Sequence, residues 1–403
     1  MTISGDSGPV WRSIAFLMEN SLFLIGGAVA ALVWANLDLD GYHHFVHHEF
    51  AMLAERHIDL HFLINDVAMA LFFAIAAKEV WEALLPGGPL SNPKTAATPL
   101  MATAGGVLAP ALIYFAGVHL LGEQTTLGRG WAIPCATDIA FSYLVARLIF
   151  GHEHPAIVFL LLLAIADDAA GLLILAAFYP QEAMHPEWLL LLTLAAIGTG
   201  LGMRRAGVKN FWWYLLIPGV LSWWSFYEAG IHAALGLVPI IPTMPGHHED
   251  KGLFHPDEHT QEDTLSQFAA WWKNPVEMIL GLFGLVNAGV VLSNAGTGTW
   301  LVLSGLVIGK PVGITLLTLI GERLFGFQRP EGMSYRHVVT LGLVAGIGFT
   351  VALFVSSAAY PEPGAIQDSV KMGALGSFLA ALPAFMIGRA LGIKPGRKGQ
   401  KVS

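Results

Sequence analysis

The sequence predicts an all-α polytopic membrane protein of about 12 transmembrane helices, and three observations predict it. Of its 403 residues, 55% are hydrophobic and only 12% are charged, where an average soluble chain carries roughly 25% charged residues. Apolar runs close to the ~20 residues that a bilayer-spanning helix needs recur along the chain. Two of these runs are interrupted by Pro or Gly beside polar side chains, which lipid tolerates only around a polar cavity. A soluble chain of this length would divide into two or three domains whose polar surfaces this composition cannot cover. The 45 Gly and 22 Pro instead suit close helix packing and broken helices. A net charge of −8 without a basic stripe excludes nucleic acid as a partner. The single cysteine, Cys135, excludes an intrachain disulfide and any multi-cysteine metal centre.

The apolar runs fall at 12–36, 61–85, 95–118, 126–147, 154–179, 185–203, 210–224, 228–243, 267–294, 299–320, 336–360 and 369–391, and are called the first to twelfth spans. Ala28-Val29-Ala30 in the first faintly resembles a signal-peptidase site, but the spans downstream favour a retained helix. The short seventh and eighth can also form one bent element. With both termini cytoplasmic, 16 of the 21 Lys and Arg lie inside and three, Arg56, Arg129 and Lys371, lie outside, the asymmetry expected of cytoplasmic loops. Segment 41–60 then faces out, while an acidic, His-rich loop at 245–267 and a basic tail at 392–403 face in. The whole chain, 1–403, forms one integral membrane unit, with the lipid bilayer of a bacterial-type inner membrane as its solvent.

Ionisable groups inside spans cost about 2.5–3.5 kcal/mol each on insertion scales, so each marks a functional site by default. The fifth span, FLLLLAIADDAAGLLILAAF, sets Asp167 and Asp168 side by side mid-helix with no neutralising group nearby in sequence. Consecutive residues sit about 100° apart on a helix, so both can edge one cavity. Two carboxylates in poor solvent hold at least one proton tightly. A small hard cation relieves the same repulsion, so cation and proton compete for the same oxygens. A purely structural ion pair would need two partners for two acids. Lys310, in GLVIGKPVGIT of the tenth span, is the natural partner for one. Lys78, beside Glu79 and Glu82 near the end of the second span, is expected to snorkel.

The fourth span, GWAIPCATDIAFSYLVA, breaks at Pro134, and Thr137 and Asp138 can cap a restarted helix. The eleventh, LGLVAGIGFTVALF, has Gly342, Gly346 and Gly348 ahead of Thr350. Either interruption alone could be a simple kink. Two in corresponding positions, each the middle of three spans (3 to 5 and 10 to 12), point to a transporter built from inverted repeats. Half-helix N-termini carry partial positive charge and C-termini partial negative charge. Asp138 would offset the former and Lys310 the latter, which leaves Asp167 and Asp168 for a transported ion.

The strings INDVAMALFF (64–73), GWAIPCATDIAF (130–141), LAIADDAAG (163–171), GIHAALGL (230–237), NAGVVL (287–292), IGKPVGI (308–314) and GIGFTVALF (346–354) closely resemble the NhaA family of sodium/proton antiporters, over nearly the whole chain. The resemblance implies an NhaA-like fold with two crossed, interrupted helices. It implies that Asp167 and Asp168 form the ion and proton site, with Asp168 the principal Na+ or Li+ ligand and Thr137 lining it. Asp138 and Lys310 would compensate the half-helices, and Lys310 would pair with Asp167 until the ion or proton state changes. Asp66 and Glu79, with Glu82 beside them, match acidic positions assigned to a cytoplasmic funnel linked to pH response, and His232 matches a histidine of the eighth span. The chain departs from the pattern in two places. Trp81 and Glu82, with an extra Lys78, stand where a basic residue is expected after Glu79. Ala270 and Trp271 stand where well-studied members carry an acid and a histidine, so the pH setpoint does not carry over.

The activity expected is secondary exchange of cytoplasmic Na+ or Li+ for external H+, pH-regulated, electrogenic if more than one proton moves per ion, and without a cofactor. The family implies a homodimer, through segment 41–60. The alternative on this fold is a sodium-coupled symporter for bicarbonate or a carboxylate, because half-helix N-termini suit anions. A channel or pH-sensing protein without coupled transport is a further class. An enzyme is not expected, because no nucleophile with its base, phosphate loop or HExxH is present. His43 with His47 and His44 with His48 make two i, i+4 pairs able to hold a metal, but a solvated, titrating outer loop is favoured. His247, His248, His255 and His259 could sense pH in the acidic loop.

Overall fold

The computed structural model describes residues 22–53, 56–152, 154–246 and 263–393. The start of the first span, the four histidines of the acidic loop and the basic tail from 394 lie outside the described residues. Among the described residues, six helices are long and apolar enough to cross a bilayer singly: Leu60–Leu84, Pro93–Leu120, Pro155–Phe178, Pro186–Arg205, Thr297–Phe325 and Ala365–Ala390. These are the second, third, fifth, sixth, tenth and twelfth spans. Pro93, Pro155 and Pro186 each open a helix, a position where the missing N–H would have had no partner anyway. The fourth span is a bent pair, Gln124–Cys135 with Ile139–Phe150 at 53°, and the eleventh is another, Tyr335–Ala345 with Phe349–Ala359 at 48°.

The first and ninth spans, Leu22–Leu37 and Thr264–Asn287, pack along each other, and the seventh runs from Phe211 to Glu228 through a π-helical turn at Leu215–Gly219. The eighth differs from expectation. Its residues form two short 3-10 turns, Ala233–Leu235 and Val238–Thr243, rather than an α-helix. Pro239 and Pro242 remove donors there, and Gly230, at φ 73°, separates it from the seventh span. Segment 41–60 is also more ordered than a loop. The helix Leu39–Val46 ends within it, and Ala51–Leu53 pairs antiparallel with Arg56–Ile58, Ala51 opposite Ile58.

Glycine sets the close approaches that assemble the core. A Cβ at Gly105 of the third span would sit 2.0 Å from the Gly313 carbonyl oxygen of the tenth, and the reverse holds equally. At Gly348 it would lie 2.6 Å from the Ala136 carbonyl oxygen, so the two interruptions touch through backbone. Backbone contacts of this kind leave no side-chain freedom to absorb extra volume. Gly105→Val is therefore expected to destabilise by about 1–3 kcal/mol or more. Gly198→Ala, with nothing within 4 Å of the added Cβ, should be neutral or stabilising. Thermal unfolding in detergent separates the two, and equal Tm values would contradict the glycine contact.

Candidate functional site

At the crossing, the Asp138 N–H donates to the Ile347 carbonyl at 2.7 Å. Asp138 is the N-cap of Ile139–Phe150, its Oδ1 accepting the Phe141 N–H at 3.2 Å. Its Oδ2 accepts the Thr350 N–H at 3.2 Å and also the Thr350 hydroxyl. Thr350 opens the second half of the other interrupted span, Phe349–Ala359. One buried carboxylate therefore caps two half-helix N-termini from opposite spans and meets the partial positive charge of both. Ser142 completes the joint by donating to the Val344 carbonyl at 3.0 Å.

The opposite sign is handled beside it. The Lys310 ammonium, 0% exposed, donates to Asp167 Oδ2 at 2.6 Å and to the Thr137 hydroxyl oxygen at 2.5 Å. That hydroxyl lies 2.7 Å from Asp167 Oδ2 and 3.0 Å from the Ala345 carbonyl, and its single proton serves one of them at a time. Lys310 thus reaches the C-terminal end of Tyr335–Ala345 through Thr137, which places its charge near the partial negative end of that half-helix. Thr137 does not share the capping with Asp138, as the sequence allowed; it joins the charged pair instead.

The charge at Asp167 is incompletely met. Its Oδ1 is buried without a hydrogen-bond partner. Asp168, half-buried, makes no hydrogen bond or ion pair among the described residues. A cavity lined by Asp167, Cys135, Ala136, Gly171 and Val351 has about 10 Å3 open to the centre of a water molecule, room for about one water-sized occupant.

The second span corrects one expectation. Lys78 does not snorkel: it is 1% exposed and pairs with Glu82 one turn on, at 2.5 Å. A carboxylate at i+4 gives the ammonium a partner inside the protein, so its stem need not reach the interface. Asp66 and Glu79 stand well apart along the same helix. They are 13 residues apart on the Leu60–Leu84 helix, about 20 Å along its axis at 1.5 Å per residue. Asp66 Oδ1 lies 3.3 Å from His232 Nδ1 without hydrogen-bond alignment, while Glu79 sits at the other end near Lys78 and Glu82. At the start of the ninth span Trp271 packs on Trp212, ring centroids 4.7 Å apart, so this position is occupied by aromatic packing.

Sequence reasoning missed a buried amide joint. Asn65 and Asn287 donate to each other's side-chain oxygens at 3.0 and 2.8 Å, and Ser357 donates to Asn287 Oδ1 at 2.9 Å. This ties the second and ninth spans to the eleventh. Two asparagines inside apolar helices were the signal for it, since buried amides need partners. In segment 41–60, His43 stacks on His47 with centroids 6.1 Å apart, and His47 bonds Asp59 at 2.9 Å. No group of three or more His, Cys, Asp or Glu among the described residues is arranged to hold a metal.

A multi-pass helical protein whose two interrupted spans cross at mid-membrane beside buried charge belongs to the class of secondary transporters. The family model described as Na+/H+ antiporter 1 matches residues 15–388. A Na(+)/H(+) antiporter NhaA of Jannaschia sp. (strain CCS1) is 49% identical, covering 94% of this chain and 97% of the relative. The protein of that name from Desulfitobacterium hafniense (strain DSM 10664 / DCB-2) is 49% identical over 95% of this chain and 97% of its own. That from Geotalea uraniireducens (strain Rf4) is 46% identical over 95% and 98%. The chain belongs to this antiporter family.

Removing one member of a buried ion pair strands the other, at a cost of about 3–5 kcal/mol, whereas replacing both by apolar groups is often close to neutral. Asp167→Ala should therefore lower the Tm more than the double variant Asp167→Ala/Lys310→Met. A double variant no more stable than the single one would show that the pair is not coupled.

Proposed function

We propose that this chain is a sodium/proton antiporter of a bacterial-type inner membrane, both termini cytoplasmic, that moves Na+ or Li+ out against protons at the Asp167–Asp168 pair. The observation that carries this reading is the unmet charge: an orphan Asp167 oxygen next in sequence to an Asp168 that has no hydrogen bond or ion pair among the described residues. Asp168 is the principal ion ligand, with Asp167 and Thr137 completing the site. Lys310 holds Asp167 while the ion is absent, and Asp138 keeps the crossing electrically balanced in both access states. The site alternates its exposure, and no cofactor takes part. If Asp168 and either Asp167 or Lys310 release protons when one Na+ binds, transport is electrogenic.

The family names of the relatives support the cation–proton exchange. The sodium-coupled anion symporter loses its main physical argument, because the two half-helix N-termini that would suit an anion are already capped by Asp138. On the antiport reading, Glu79 and Glu82 with Lys78 serve the pH response at the inner end of the second span, and Asp66 with His232 serves it at the outer end. Segment 41–60, with its hairpin, is the contact of a homodimer.

The decisive experiment is Na+- or Li+-induced collapse of a proton gradient in inside-out vesicles, from about pH 6 to 9. The natural chain is expected to collapse the gradient at alkaline pH and to lose activity on acidification, as protons outcompete Na+ for the carboxylates. Asp168→Asn should abolish the collapse at every pH. Folded, inserted natural protein that never collapses the gradient would sink the antiport reading.

A further inference from the structure

Two helices that converge on the aspartate site begin on histidine caps. His154 is the N-cap of Pro155–Phe178, its Nδ1 accepting the Ala156 N–H at 3.1 Å. His337 stands three residues after Ser334, the N-cap of Tyr335–Ala345, and its Nδ1 accepts the Ser334 N–H at 3.1 Å. Ser, Thr, Asp or Asn usually fills the first of these positions and Glu or Gln the second. None of those side chains titrates near neutral pH, whereas imidazole does. The two rings also meet each other, edge to face with centroids 4.5 Å apart, and Phe150 covers both.

A ring nitrogen that accepts a backbone N–H carries no proton, so both imidazoles are neutral with their protons on Nε2. Protonation would turn each acceptor into a donor aimed at another donor. It would also add positive charge to helix N-termini that already carry it, and set two cations against each other. Arg147 and His152, 3.2 Å apart, precede His154. Arg329 and Arg336 both bear on His337. Glu322, at the end of the tenth span, is engaged by Arg329 and by the Tyr335 hydroxyl, while Glu331 shares the loop of Arg329 and Arg389 closes the twelfth span packed on the eleventh. The surroundings are thus mainly cationic and favour the neutral rings.

We propose that His154 and His337 are positioning residues that make the cytoplasmic caps of the fifth and eleventh spans acid-labile, so that cytoplasmic acidification loosens the aspartate site. This rests on the antiport reading and adds its regulation. The connection is direct in both helices. Pro155–Phe178 carries Asp167 and Asp168, and Tyr335–Ala345 ends on the carbonyl that faces Thr137. Burial, then the neighbouring imidazole, holds His154 below the ordinary histidine value. The uncapped state therefore binds more protons than the capped one. The stabilisation is complete above about pH 6.5 and fades as pH falls below it.

The test is the double variant His154→Asn/His337→Gln, which keeps a side-chain acceptor at each cap but no titrating group, with both single variants as folding controls. Gradient collapse in inside-out vesicles and the Tm of purified protein are measured across about pH 5.5 to 8.5. The acid limb of activity is expected to move down by about half a pH unit, with the alkaline rate and Na+ response retained. The loss of Tm on acidification should shrink in step. Acid limbs and Tm curves that coincide with those of the natural chain would overturn the proposal. If the natural chain shows no exchange at all, the antiport reading fails, and the Tm comparison still decides whether the caps are acid-labile.

Discussion

Unwound backbone at membrane depth has no water to satisfy it, and the fold depends on how Asp138 meets that constraint. Breaking a span at mid-membrane exposes donors at one half-helix and acceptors at the other, each costing several kcal/mol if left unpaired in lipid. Crossing two broken spans lets one carboxylate serve both sets of donors, at the Phe141 and Thr350 amides. The crossing in turn needs backbones in contact, which is why glycine stands at Gly348, Gly105 and Gly313. Once the interruptions are joined, the third and tenth spans close over them and carry Lys310 into a position it could not hold alone.

The two charge systems are built to different degrees of completion. Asp138 has its oxygens occupied by donors from two spans, so it is a fixed part of the scaffold. Asp167 has one oxygen held by Lys310 and Thr137, while among the described residues its other oxygen has no hydrogen-bond partner and Asp168 makes no hydrogen bond or ion pair. A buried network that is only partly satisfied is costly, and its persistence marks a place where something binds or leaves.

Much of this was legible in the sequence. Periodicity was unnecessary for the long spans, because lipid permits apolar residues all round a helix and length alone marks them. Pro134 with Thr137 and Asp138, and the glycines before Thr350, located both breaks, and Asp167, Asp168 and Lys310 stood out as ions in apolar runs. What could not be read was pairing in space. That Lys78 is buried depends on Glu82 lying on the same helix face within a packed bundle. Asn287 lies 222 residues from Asn65 and 70 from Ser357 in sequence, and the three meet only in the fold. The eighth span looked like a short helix because hydropathy is blind to hydrogen bonding, whereas Pro239 and Pro242 determine which backbone donors exist.

Formal charge links this geometry to the proposed exchange. With both carboxylates ionised and Lys310 protonated, Asp167, Asp168 and Lys310 sum to one negative charge in a poorly solvated site. A single monovalent cation or a single proton restores neutrality, so the two compete on equal electrostatic terms. Replacement of one by the other at Asp168 alone would be electroneutral. A second proton can leave only if another member of the trio titrates as Na+ arrives. On the antiport reading, a cation that draws Asp167 away also takes from the Lys310 ammonium the counter-charge it holds, in a site with 0% exposure. On that reading the exchange leans on one hydrogen-bonded pair, Lys310 with Asp167, whereas the fold depends on the Asp138 carboxylate next to it.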